Sequence, residues 1–258
     1  MPRKFLISAS LLVILAVFVG IAVSNRIPDE DRDAYALIYW IRASDITWIE
    51  PIRNDTRYEI DDEEIRQLGN IGAFHLGRGI DITTLPPEIT LMTNMWELSL
   101  ARTSVSSLPP EIGQLQQLQN LYLPDTLVTE LPPEIGDLQA LRILDVGGSR
   151  VSELPPEIGQ LNNLRQLDLS NTPIRALPPE ISQLSNLRVL NLNHTQITEI
   201  PPQINDLHQL EHLDVSHTFI TEIPPALLEL ESLKVINVVG TDITEFPDLA
   251  EGGPIIYR

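Results

Sequence analysis

The chain has 258 residues, 21 prolines, no cysteine and a formal net charge of −19. Without cysteine there is no disulfide framework, thiolate metal site, cysteine nucleophile or lipidation cysteine. With Lys4 and Lys234 as its only lysines, the chain repels phosphate backbones, which argues against nucleic acid and favours a basic protein or peptide as partner.

Residues 1–27 place Arg3 and Lys4 ahead of an uncharged apolar run, Phe5 to Val23. A helix of that length reaches about 28 Å, close to the hydrocarbon thickness of a bilayer. The expectation is a single-pass membrane helix, with the N-terminus in the cytoplasm and the rest of the chain outside it. The alternative is a cleaved signal peptide, since Ala22 and Ser24 are small residues two apart; it would lead to export.

Residues 28–60 open on the charged break PDEDRD and then hold Tyr35, Tyr39, Trp40, Trp48 and Tyr58, five of thirteen aromatics. This segment reads as a linker followed by an aromatic N-terminal cap, with a helix near Ala34 to Ala43. An aromatic ligand site or a membrane-surface contact is the functional alternative.

Residues 61–84 form a divergent first repeat, with Ile65, Leu68, Ile71, Phe74 and Leu76 at the positions the later copies fill with aliphatics. One extra residue falls within 77–81, which predicts a bulged loop.

Residues 85–245 are seven gapless 23-residue copies that begin at Leu85, Leu108, Leu131, Leu154, Leu177, Ile200 and Ile223. Positions 1, 5, 8, 11, 14, 16 and 21 are Leu, Ile, Val or Met in every copy. Within a copy, L-x-x-L-x-L passes from a spacing of three to strict alternation, the period of a short strand with one buried face. A polar turn follows, and then Pro-Pro-Glu-Ile, where proline occupies a first helical turn without wasting a donor. Fourteen of the prolines are these seven pairs, so they punctuate an ordered array. One unit cannot bury its own apolar face, so neighbours must stack and pair their strands. Residues 246–258 follow as a tail or cap, with Phe246 to close the last coil and Ile255 to Tyr257 to add a short strand. If the tail leaves that coil bare, self-association is expected; the oligomeric state is otherwise open.

The pattern L-x-x-L-x-L-x-x-T-x-[VI]-x-x-L-P-P-E-I-G-x-L resembles the leucine-rich repeat family, in its 23-residue, Ras-suppressor-like class. The resemblance implies an α/β solenoid: a curved parallel sheet on the concave face and short helical or 3-10 turns on the convex face. It departs from the family at the strand exit, where Thr103, Thr126, Ser149, Thr172, Thr195, Thr218 and Thr241 replace the usual Asn. Their hydroxyls are expected to bond turn backbone in the next coil.

Strand alternation puts position 15 on the concave face: Ser99, Tyr122, Asp145, Asp168, Asn191, Asp214 and Asn237. From Tyr122 onward these are the candidate partner-binding residues, a ridge of carboxylates and amides suited to Arg or Lys from a partner. The bland alternative is that L-D-L-S is simply a common strand sequence in the family. His194 and His217 share position 18 of successive copies, and with His212 and Asp214 they form a weak metal candidate without a chelating spacing. No cofactor is expected. The chain has no phosphate-binding glycine loop, serine elbow or HExxH, and although Asp145 and Asp168 resemble a glycosidase pair in spacing, a regular ladder repeats that spacing everywhere. The expected function is a non-enzymatic, membrane-anchored protein-binding scaffold facing outside the cytoplasm. The alternatives are a structural or envelope-organising protein without a discrete ligand, or a metal-binding accessory protein.

Overall fold

A computed structural model describes residues 68–76, 82–245 and 253–258. It contains nine three-residue strands: β1 (Ala73–His75), β2 (Glu97–Ser99), β3 (Asn120–Tyr122), β4 (Ile143–Asp145), β5 (Gln166–Asp168), β6 (Val189–Asn191), β7 (His212–Asp214), β8 (Val235–Asn237) and β9 (Ile255–Tyr257). They pair in sequence order, all parallel, in one open sheet. Phe74 pairs with Leu98, Leu98 with Leu121, and so on through Ile236, so each copy advances the array by one strand.

Seven five-residue 3-10 turns, from Pro87–Leu91 to Pro225–Glu229, form the opposite wall. The first proline of every pair but the last holds extended backbone, as Pro155 does at φ −67° and ψ 149°, and the second opens the turn. Proline's fixed φ suits both roles, and at the start of a turn its missing N–H costs nothing. Each turn ends one residue before position 8, a leucine or, in the first copy, Met92, whose N–H closes on the position-5 carbonyl, as Leu161 does on Ile158 at 3.2 Å.

The core is a single column of aliphatic side chains between the two walls. All the repeat positions that carry aliphatics are buried except Ile243, which is partly buried. Leu68, Ile71, Phe74 and Leu76 extend the column into the divergent first repeat.

At position 19 the structure corrects the sequence reading. The hydroxyls of Thr103, Thr126, Thr172, Thr195, Thr218 and Thr241 donate to the carbonyl three residues back in their own coil, at 2.5–2.8 Å. They do not bond the next coil, because each hydroxyl lies against a carbonyl of its own turn. Cross-coil side-chain bonds to backbone come instead from the foot of several strands: Asn163 donates to Gln139 O at 2.8 Å, Asn186 to Asn162 O at 2.7 Å and the Ser232 hydroxyl to Leu210 O at 2.8 Å.

The membrane reading is also corrected. Among the described residues no helix is long and apolar enough to cross a membrane. A five-residue 3-10 turn spans about 10 Å, against about 30 Å of hydrocarbon. The single-pass, extracytoplasmic localisation is therefore withdrawn. Phe5 to Val23, the aromatic cap of residues 28–60, the bulge at 77–81 and Phe246 all lie outside the described residues.

Candidate functional site

A strand of three residues with its middle side chain in the core presents two side chains to solvent. Position 14 is that middle residue in every strand from β2 to β8, so positions 13 and 15 form the outer face of the sheet. The structure brings all six candidate residues, Tyr122, Asp145, Asp168, Asn191, Asp214 and Asn237, into one lateral row, each aligned with its neighbour.

Most of that row is engaged within the protein. Asp145 Oδ1 accepts the N–H of Gly147 at 2.8 Å, Asp168 Oδ1 that of Ser170 at 2.9 Å, and Asp214 Oδ1 that of Ser216 at 2.9 Å. Asn191 and Asn237 repeat the bond with Asn193 and Val239. An Asp or Asn side chain that takes the N–H two residues on bends the chain out of the strand, so position 15 is first of all a turn-former. The amides of Asn191 and Asn237 also donate sideways to Asp168 Oδ2 and Asp214 Oδ2, both at 2.9 Å.

Asp145 has no such amide beside it. Burial pushes its carboxyl above the usual carboxylate range; the Gly147 N–H opposes that, and the charges of Asp168 and Asp125 add to it. The Tyr122 hydroxyl is raised as well, by burial first and then by Glu97 and Asp145. At the sheet's start Glu97 is held from both sides, by His75 at 2.6 Å and the Asn120 amide at 2.8 Å.

A second row escaped the sequence reading. Position 12, just before each strand, reads Trp96, Gln119, Arg142, Arg165, Arg188, Glu211 and Lys234. It belongs to the ladder, since the N–H groups of Arg165 and Gln166 both reach Arg142 O, at 2.8 and 3.1 Å. Arg188 Nη1 meets Glu211 Oε1 at 3.1 Å, and Lys234 holds the other oxygen of the same carboxylate. That contact, with Lys234 first and Arg188 after it, keeps Glu211 below the usual glutamate range. Aligning the copies on position 12 would have exposed the row; attention to the strand alone passed over it.

The histidines do not form a chelate. His194 and His217 stack with ring centroids 4.3 Å apart and planes 3° from parallel. Stacked rings aim their nitrogens alongside one another, and two imidazole nitrogens about 2.0–2.1 Å from one metal ion would have to converge. Among the described residues no three His, Asp or Glu side chains gather into a metal-binding group. Position 18 is where the backbone turns left-handed: Arg102, Asp125, Asn171, His194 and His217 have φ of 54–60°, and Gly148 and Gly240 have 68° and 70°. The seven-fold recurrence of this conformation, with the stacked parallel strands, is the geometry of one known repeat class.

The family model described as "Leucine-rich repeat region" matches residues 134–191 and 180–251. These repeats are leucine-rich repeats. A leucine-rich repeat protein of Leptospira interrogans is 30% identical, with a TM-score of 0.55 over 74% of this chain and 60% of that one. A plant peptide hormone receptor, RGFR1, solved in complex with RGF2, is 29% identical, with a TM-score of 0.56 over 61% of this chain and 26% of the receptor. An internalin of Listeria monocytogenes, at 18% identity and a TM-score of 0.66 over 83% of this chain and 57% of its own, shares the fold. This leucine-rich repeat chain thus spans less than two thirds of each of these structures. No curated protein matches it.

Proposed function

We propose that the chain is a non-enzymatic scaffold that binds another protein on the outer face of its sheet, through Tyr122, Asp145, Asp168, Asn191, Asp214 and Asn237. The observation that carries this reading is the lateral alignment of those six residues on a sheet face that no other described element covers. Asp145 and Tyr122 are its centre, because neither has an amide neighbour to satisfy it as Asp168 and Asp214 do. A basic patch on the partner would relieve the unfavourable burial of the Asp145 charge. The plant receptor, solved with a bound peptide, lends support by likeness of fold.

A photo-crosslinking residue at Tyr122 tests the site, with one at Gln114, in a 3-10 turn on the opposite wall, as the control. Capture of one defined protein from Tyr122 and not from Gln114 is expected. Equal capture at both positions, or none, would remove the outer sheet face as the binding surface. One observation favours a second reading: the Asp–Asn bonds along the ridge satisfy much of it internally, as they would in a structural array with no discrete ligand.

A further inference from the structure

We propose that the row Arg142–Arg165–Arg188 is an anion-capturing edge, so that the partner on the sheet face docks through an acidic polypeptide segment lying along the solenoid axis. This rests on the sheet face being the binding surface and adds the chemistry of the segment it takes.

Four observations carry it. The first is enrichment: residues 85–245 hold seven Arg and Lys, and four of them, Arg142, Arg165, Arg188 and Lys234, stand at position 12. In a chain of net charge −19, a solvated surface would scatter its few cations. The second is spacing, since successive strands hold Arg142, Arg165 and Arg188 in consecutive rungs about 4.8 Å apart, joined by Arg165 N to Arg142 O and Arg188 N to Arg165 O, both 2.8 Å. Like charges carried on neighbouring rungs repel, and a bound anion would relieve that repulsion. The third is vacancy of partners. Glu211 takes Arg188 and Lys234, whereas among the described residues Arg142 and Arg165 have no hydrogen-bonding or ionic side-chain partner and are exposed. The fourth is polarity across the face. Position 12 and position 15 lie about 10 Å apart along a strand, so a basic row holding Arg142 and Arg165 and an acidic row holding Asp145 and Asp168 flank the position-13 residues Ile143, Gln166 and Val189. A segment seated there with carboxylates toward the arginines and bases toward the aspartates has its orientation fixed by charge. Guanidinium groups suit this, because their planar fork takes a carboxylate by two parallel bonds.

The test uses the full chain and fluorescein-labelled octaglutamate, read by anisotropy at about 20 and about 300 mM salt. Octaglutamate should bind at low salt despite the chain's net charge, and R142Q/R165Q should weaken it roughly tenfold or more. R150Q/R175Q, which removes two charges outside the row, should bind as wild type does, and R142K/R165K should fall between. Because all four side chains are exposed, unchanged melting temperatures show that the variants are folded. No binding by wild type, or an equal loss in R150Q/R175Q, overturns the proposal. Equal competition by inorganic triphosphate and by unlabelled octaglutamate overturns it too, since the row would then read charge alone. If octaglutamate fails while Tyr122 still captures a protein, this inference falls and the proposed function stands; if Tyr122 captures nothing while octaglutamate binds, the row takes anions but the proposed function falls, and with it the docking of a sheet-face partner through the row.

Discussion

Asn191 donates its side-chain amide to Asp168 Oδ2 at 2.9 Å while Asp168 Oδ1 receives the N–H of Ser170 at 2.9 Å. One carboxylate thus shapes its own turn and grips the next coil. Asp168→Ala removes both bonds and should cost about 1–2 kcal/mol, whereas Asp168→Asn keeps the turn bond and should cost well under about 1 kcal/mol. Denaturant melts of the two variants compare these outcomes; equal losses would show that the ridge does not build the turns.

Asp145 should respond to pH in the opposite sense to a stabilising carboxylate. Its carboxyl is raised in the folded state, chiefly by burial, so the folded chain holds that proton more tightly than the unfolded one. Its contribution to stability is therefore best below the ordinary carboxylate range and is lost as pH rises through the raised value. Asp145→Asn, which cannot titrate, should stabilise the protein near neutrality, by no more than about 0.5 kcal/mol, since the group is only partly buried and solvent screens it. The advantage should vanish in acid. Melting curves of both proteins across the acidic range decide it, and an advantage that grows as pH falls would refute the assignment.

Leu167 is fully buried at the centre of β5, while Ser170 is only partly buried in the turn that follows. Leu167→Ala should cost about 2–5 kcal/mol, because the cavity opens between two coils that cannot easily close on it. Ser170→Ala should shift stability by about 0.5 kcal/mol or less. Closely similar melting temperatures for the two would contradict the assigned faces of the repeat.

Arg102 holds φ at 60°, a conformation that costs a side-chain-bearing residue roughly 1 kcal/mol and glycine nothing. Arg102→Gly should therefore stabilise the array by about 0.5–1 kcal/mol, even though it gives up an exposed ion pair with Asp125, since such pairs contribute little. A lower melting temperature would mean that the ion pair outweighs the backbone.

β9 covers the last strand of the repeats. Tyr257 O accepts the N–H of Val238, and the Ile255 N–H reaches Lys234 O, both at 2.8 Å. Deleting residues 255–258 frees those groups and uncovers Ile236, leaving an apolar strand edge for another chain to pair with. Light scattering should then show concentration-dependent association that the full chain lacks, and two species of equal mass and equal stability would show that β9 is not a cap.

How far the sequence could be read follows from what each residue depends on. The strand at Leu164 to Leu169, the proline-led turn after it and the buried column were legible, because a fixed aliphatic spacing admits one way of stacking identical units. The extra residue before Ile82 was legible too: β1 and β2 pair Ala73 with Glu97, a step of 24, where later strands step by 23.

What needed three dimensions was the use of each polar group. The sequence placed Asp168 on the face but could not say that its oxygens were already taken by Ser170 and Asn191. It placed the position-19 hydroxyls at the turn but could not say which carbonyl they would take, which is one in their own coil. It put His194 and His217 side by side, and only the ring planes showed stacking in place of convergence. The same limit hid the arginine row, since Arg142, Arg165 and Arg188 lie 23 residues apart in the chain and become neighbours only through the strand ladder. Apolar burial is set by spacing along the chain and so is written in it; hydrogen bonds and charge pairs are set by direction and distance between chain segments, which only the stacked coils supply.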